Sequence, residues 1–348
     1  MKVDYIIVGV GLAGLSFCEQ LKQNNKSFIV FDNASQKSST VAAGLYNPVV
    51  LKRFTSVWKS KLQLEEALPM YKRLEKRLNI KLDYKLPVYR KFASVEEQNN
   101  WFAASDQPNL THYLSTAMVN NTNQYIDAPF GFGEVKNTGR IDTKCLIEQY
   151  KKHLIKDALL KQEAFNYTNL EMDNGCFVSY KDVKAKYIVF SEGFGVIKNS
   201  FFKHLPLVPA KGELIKIYAP ELKMDFILKS NVFIVPLGKD FYLVGSTYNW
   251  DDLTHNISIK ARNELLKKLK ACITCDFELI EQFAGIRPTV KDRRPLVGVH
   301  NSFKNVYVLN GLGTRGVMIG PYIAKQLFDF IERKVPLDRE ININRFDL

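Results

Sequence analysis

Apolar and polar positions alternate along the chain in blocks that predict a mixed fold. Asp4–Val8 is a short apolar run, the glycine-rich "GVGLAG" follows at Gly9–Gly14, Leu15–Leu21 has helical spacing, and Ser27–Phe31 is apolar again. That sequence of patterns predicts a βαβ unit. A helical region is expected at about Lys61–Leu78, and the mixed, aromatic-rich stretch from Trp101 to Phe132 marks a change of architecture. After Arg140 the spacing is helical through Leu160, then short strands are expected around Cys176–Tyr180 and a buried one at Tyr187–Phe190, ending in "SEGFG". From Gly212 the segments "ELIKIY", "NVFIVPL" and "FYLVGSTY" carry β-branched and aromatic residues, with Gly238-Lys239-Asp240 as a hairpin turn, so an antiparallel sheet is expected. An apolar strand at Val306–Leu309, the glycine-rich "NGLGTRGVMIGP" and an amphipathic helix from Tyr322 to about Ile331 close the pattern. No repeat, low-complexity tract or long linker separates these blocks, so two domains would have to exchange the chain rather than sit in series.

Composition narrows the class. With 348 residues, 46% apolar and 24% charged, the chain can bury a core and a cofactor, and no stretch is long enough to cross a bilayer. The apolar run Tyr5–Phe17 contains the glycine fingerprint, and Asp4 interrupts a positive start, so no targeting segment is expected. A net charge of +13 raises nucleic acid as a partner, but Lys151-Lys152 and Lys267-Lys268 fall on helical patterns with Leu and Ile and read as solvated helix faces. Nucleic acid is therefore not the expected partner, and part of the charge can serve cofactor phosphates or acidic substrates. The cysteines Cys18, Cys145, Cys176, Cys272 and Cys275 are odd in number without a disulfide-scaffold spacing, which suggests a cytoplasmic setting. Cys272 and Cys275 form a C-x-x-C with no second half, so packing or chance is the better reading than a metal site.

In "GVGLAG", Gly9 allows a tight turn, Gly11 the approach of backbone to a pyrophosphate, and Gly14 the packing of helix on strand, with Val10, Leu12 and Ala13 between them. The helix starting there aims unpaired N–H groups at phosphate. Asp32, with Asn33 beside it, stands about 20 residues on, where a carboxylate accepts hydrogen bonds from an adenosine ribose. An acidic residue there favours a free ribose hydroxyl over a 2′-phosphate. These features alone fit either FAD or NAD.

Four more segments, "STVAAGLYNP" (Ser39–Pro48), "VPLGKDFYLVGSTY" (Val235–Tyr248), "AGIRPTVKDRRPLVG" (Ala284–Gly298) and "GLGTRGVMIGP" (Gly311–Pro321), complete a set. With the fingerprint, in this order and spacing, they resemble the D-amino-acid oxidase superfamily of flavoproteins, most closely its glycine oxidase branch. The resemblance covers nearly the whole chain apart from about Lys81–Gly139. It implies an α/β fold in which a Rossmann-type FAD-binding domain (1–80, 139–208 and 284–348) interleaves with a substrate domain on a mostly antiparallel sheet (81–138 and 209–283). It also implies non-covalent FAD, as no cysteine lies in a motif that carries the flavin.

By the same resemblance, Ala42, Ala43, Gly44 and Leu45 pass close to the flavin ring. Ser191, Glu192 and Gly193 touch the cofactor, and Leu312, Gly313, Thr314, Arg315 and Gly316 present backbone N–H groups to it. Reduced flavin would be stabilised by such donors and by the nearby helix start. Arg287 would clamp a substrate carboxylate through two parallel hydrogen bonds, and Tyr248 would bind substrate or shape the pocket wall. Phe233 stands where glycine oxidase has a tyrosine that helps hold the carboxylate, which favours a substrate bulkier or more apolar than glycine. Lys52 and Arg53 sit where related amine oxidases place basic residues over the ring, whereas Arg293 and Arg294 are expected to face solvent or pair locally.

The expected reaction is oxidation of the C–N bond of a small amine or amino acid by hydride transfer to flavin N5, then hydrolysis of the imine. Oxygen, a quinone or a carrier protein are the candidate electron acceptors. An NAD-dependent dehydrogenase would leave "AGIRP" and "GLGTRG" without a role. A basic RNA-associated, flavin-dependent tRNA-modifying module is a further reading, drawn from oxidase domains fused to methyltransferases.

Overall fold

A computed structural model describes residues 1–173 and 177–346. Strand β1 (Lys2–Val8) leads through helix α1 (Leu12–Gln23) into β2 (Phe28–Phe31), the expected βαβ unit. Further on, helix α2 (Thr143–Lys156) precedes β3 (Val183–Phe190). β1 lies between β2 and β3 and is parallel to both, with Tyr5 opposite Phe28 on one side and Tyr187 on the other. Its residues Tyr5, Ile6 and Ile7 are fully buried, as a continuous apolar run requires when both faces of a parallel sheet are covered. The first half of β3 also pairs with Phe177–Tyr180, which begins an antiparallel meander. Cys176, where that strand was expected to start, lies outside the described residues.

The chain then builds a second sheet from β4 (Ala210–Tyr218), β5 (Ile227–Lys229), β6 (Phe233–Gly238), β7 (Phe241–Gly245) and β8 (Glu278–Arg287). Its order is β8-β4-β7-β6-β5, continued by Val88–Lys91, Phe132–Val135 and, from within the aromatic-rich stretch, Leu114–Val119. All pairings are antiparallel except that of β5 with Val88–Lys91. Lys239 and Asp240 both take positive φ between β6 and β7, the two-residue turn whose twist suits a hairpin. Helix Ile259–Lys270 seals one face of this sheet, packing Leu265 and Leu269 against Ile215, Ile217 and Val244. Cys272 and Cys275 are free thiols buried in that same core, and no metal-holding cluster exists among the described residues. The alternate residues of the sheet, Leu214 and Phe233 among them, face the other way.

Strand β9 (Val306–Asn310) returns to the first sheet, parallel to β3, and helix α3 (Gly316–Arg333) packs against α1. This helix starts six residues before the expected Tyr322, so the glycine–proline stretch is helical rather than a turn. Pro321 has no N–H to offer the carbonyl of Val317, four residues back. The Tyr71 hydroxyl supplies the missing donor at 2.8 Å. No helix among the described residues is long and apolar enough to cross a membrane.

A cleft between the two sheets as the candidate active site

The loops after β1, β2, β3 and β9 open into one cleft of about 1400 Å³, whose opposite wall is the free face of the antiparallel sheet. Its position outside the carboxyl ends of the parallel strands is where such sheets bind ligands. Its volume exceeds the usual range of roughly 300–1,000 Å³ for one small ligand, leaving room for a dinucleotide and a second molecule.

The nucleotide end is made mostly of backbone. A Cβ at Gly14 would lie 2.0 Å from the Gly9 carbonyl oxygen, so α1 can meet the turn after β1 only without a side chain there. Gly9 itself has φ +91° and passes against the Ser191 carbonyl, so the turn excludes a side chain as well. Gly14 thus lies beneath the cleft, while Gly9, Val10, Gly11, Leu12 and Ala13 line it. The first-turn amides of α1 have no acceptor within the helix; that of Leu12 is met by the Ser39 hydroxyl at 3.1 Å.

Asp32 is more occupied than the ribose role alone requires. Its carboxylate accepts from the amides of Val10 (2.8 Å) and Ala34 (2.6 Å) and from Lys151 (2.9 Å). A carboxylate offers about four acceptor positions, which leaves one for a ligand hydroxyl. Asn33, Ser191, Glu192 and Gly193 line the same end, and Ala42, Ala43, Gly44 and Leu45 line the cleft where it meets the antiparallel sheet. Burial pushes the Glu192 carboxyl upward despite hydrogen bonds from Tyr167 and Asn199. The Ser191 hydroxyl is buried with no partner among the described residues. An orphaned donor, glycines that admit no Cβ and the start of helix α1 form a donor set that fits the pyrophosphate and sugar of a dinucleotide.

The second glycine loop converges on the same cleft: Leu312, Gly313, Thr314, Arg315 and Gly316 line it beside the start of α3. Facing them, Arg287 at the end of β8 lies flat across β4, since a Cβ at Gly212 would sit 1.9 Å from its Nη2. Its Nη1 donates to the Thr247 carbonyl at 3.2 Å, and its Cζ lies 4.3 Å from the centre of the Tyr248 ring. No carboxylate among the described residues pairs with Arg287 or Arg315. Burial lowers the pKa of both guanidinium groups, and Tyr248 partly offsets it. Phe233 folds over Gly245, whose Cβ would be 2.8 Å from its Cζ, and walls the pocket between Arg287 and Lys229.

Three sequence expectations need correction. Arg53 is exposed and does not line the cleft, because the turn after Val50 directs only Lys52 toward it. Lys151 and Lys268, read as solvated helix faces, both line the cleft, whereas their neighbours Lys152 and Lys267 are exposed. Arg294 pairs locally with Glu340, as expected. The sequence reading did not single out Lys229 or His255. Both line the cleft, but each sits in an ordinary polar position at the end of a strand or in a loop, with no motif to mark it.

The family model described as "FAD dependent oxidoreductase" (DAO) matches residues 4–330. Glycine oxidase of Bacillus subtilis (strain 168) is 24% identical over 222 residues, 59% of this chain and 60% of that protein. The tRNA 5-methylaminomethyl-2-thiouridine biosynthesis bifunctional protein MnmC of Haemophilus ducreyi is 22% identical over 97% of this chain and 57% of its own length. The chain thus spans less than two thirds of the length of these curated relatives. Among solved structures, glycine oxidase from Geobacillus kaustophilus superposes with a TM-score of 0.79 at 17% identity, covering 97% of both chains. L-amino acid deaminase from Proteus vulgaris gives 0.79 at 15% identity, covering 99% of this chain and 97% of that one. The match along most of the chain, and the convergence of both glycine loops on one dinucleotide-sized cleft, have a single outcome: the chain belongs to the FAD dependent oxidoreductase family, with FAD as its cofactor.

Proposed function

We propose that the protein oxidises the C–N bond of a small carboxylated amine or amino acid. The observation that carries this reading is Arg287, a half-buried guanidinium in the cleft wall with no carboxylate partner of its own among the described residues. A cation left unpaired in a low-dielectric cleft is costly unless a ligand supplies the anion, and a planar guanidinium takes a carboxylate through two hydrogen bonds. FAD, held non-covalently by residues 1–80, 139–208 and 284–348, supplies the two-electron acceptor.

The roles of the chain follow from where its side chains stand. Arg287 fixes the carboxylate, Tyr248 packs against that guanidinium, and Phe233 excludes water from the pocket wall. Positioning of this kind replaces a protein base: a hydride leaves the carbon bearing the neutral amine, and the resulting imine takes up water to give a carbonyl compound and the freed amine. The two electrons then pass to oxygen or another acceptor. Arg315, also half-buried and without a carboxylate partner among the described residues, would add positive potential to the cleft that holds the FAD.

The test is an anaerobic screen of amino acids and N-alkyl amino acids for bleaching of the flavin band. Bleaching by carboxylated amines, and not by the corresponding amides, supports the reading. Absence of bleaching by every carboxylated amine ends it.

A second reading keeps the chemistry and changes the carrier of the amine. Tyr248 and Trp250 are 47% and 55% exposed and stack at the cleft rim with ring centres 6.0 Å apart. On a chain of net charge +13 such a pair can seat a nucleobase, and the MnmC relative is named for tRNA modification. Binding of tRNA that falls steeply with salt and is lost in Trp250→Ala supports it; weak, uniform binding removes it.

A further inference from the structure

The wall opposite the glycine loops holds a second unpaired cation. Lys229 ends β5, and the sheet register carries a continuous row from it to Phe233 on β6, Gly245 on β7 and Leu214 on β4. Lys229, Phe233 and Leu214 all face the cleft. The Lys229 Nζ leans back to within 5.8 Å of the Phe233 ring centre, and that ring overhangs Gly245. Arg287, lying across Gly212 two residues along β4, stands on the same face at the far side of the ring. With strands about 4.8 Å apart, the three pairings set the strand of Lys229 roughly 14 Å from the strand that Arg287 lies across, a gap that the lean of Lys229 toward the ring shortens.

No acidic group among the described residues pairs with Lys229. Burial, helped by the positive charges of Arg90 and Lys268, pulls its ammonium down to about 8. Arg90 and Lys268 are themselves satisfied, by Glu97 at 2.7 Å and Glu264 at 2.5 Å. The acidic residues lining the cleft among those described are Asp32, Glu148 and Glu192, all at the nucleotide end. Lys52 also lines the cleft.

Building on the proposed amine oxidation, we infer that the substrate carries two anionic groups, the carboxylate seated on Arg287 and a second carboxylate or phosphate seated on Lys229, with the oxidised C–N bond between them. This gives Phe233 a positive function. A hydroxyl at that point would divide the pocket with a polar group, whereas the ring provides an apolar floor over which the chain joining the two anions can lie. The substrate class is then an acidic amino acid, or an amino acid whose nitrogen bears an anionic arm, rather than a simple neutral amino acid.

The test is calorimetric titration of the holoenzyme with the dicarboxylates from malonate to pimelate and with the monocarboxylates of equal length. A charge-assisted contact at Lys229 predicts that one chain length of dicarboxylate binds roughly 10- to 100-fold tighter than its monocarboxylate partner. Lys229→Gln removes most of that gap and Lys229→Arg keeps it, with flavin content of each variant as the check on folding. Phosphonocarboxylates of the same lengths show whether the second seat prefers phosphate. Dicarboxylates that gain nothing over monocarboxylates in the unmodified enzyme, or a gap that survives Lys229→Gln, overturn the inference while bleaching by monocarboxylated amines leaves the amine oxidation standing. Failure of every carboxylate to bind, together with no bleaching, removes both.

Discussion

The two ends of the cleft are built from different materials. At the nucleotide end recognition lies in backbone: glycines that bring a strand, a turn and a helix together, amides at helix starts, and carboxylates already tied to protein donors, such as Asp32 with Val10, Ala34 and Lys151. At the substrate end it lies in side chains, and Arg287, Arg315 and Lys229 remain without a counter-charge among the described residues. One end has its carboxylates tied to protein donors before its ligand arrives; the other is electrostatically unfinished. Ligand binding should therefore change stability and charge most at the substrate end, while changes at the nucleotide end should act through shape.

The largest expected effect comes from filling the backbone junction. Gly14→Val places side-chain atoms against the Gly9 carbonyl and costs about 3 kcal/mol or more; the purified protein should be colourless, and visible absorbance checks this. Retained flavin would mean that the junction is softer than its 2.0 Å approach implies. Next, Arg287→Ala should leave the flavin bound yet lower kcat/KM for carboxylated amines by roughly 100-fold or more. Equal losses for carboxylated amines and their amides would separate Arg287 from substrate.

A smaller effect runs in the opposite direction. Lys229 has a folded pKa of about 8, below its ordinary 10.5, so the folded state binds fewer protons than the unfolded chain between those values and stability rises with pH across that window. Below it the buried charge is a liability. Lys229→Met should therefore be more stable than the unmodified protein at pH 7, by about 2 kcal/mol, with the difference shrinking as pH rises from 8 to 10.5; denaturant melts at several pH values measure it. The smallest effect is expected for Phe233→Tyr, which adds one hydroxyl beside the carboxylate seat. It should tighten small monocarboxylated substrates by up to about tenfold, read from KM.

The same contrast explains what could be read from the chain before its structure. The nucleotide end is encoded by neighbours: Gly9, Gly11 and Gly14 with Asp32 occupy one βαβ unit, so their spacing alone locates them. Arg287 became visible only through a resemblance in the motif around it. Lys229 carried no mark at all, because its significance depends on three strand pairings that bring Phe233, Gly245 and Leu214 between it and the arginine. Lys151 and Lys268 show a related limit: helical spacing tells that a lysine leaves the core, and not whether it enters solvent or a cleft. The early start of α3 was hidden for a different reason. Gly320-Pro321 reads as a turn until a distant tyrosine, Tyr71, is seen to satisfy the carbonyl that the proline strands.

Gly212 and Arg287 share one volume, and this ties their histories together. Among descendants of a common ancestor, any side chain at 212 would have to wait until the arginine had been lost or had swung away, and an arginine gained at 287 would find no resting place unless 212 were already bare. Variation at these two sites, distant along the gene, should therefore be correlated, and a library randomising both at once should return active clones in which the glycine and the arginine are inherited as a pair.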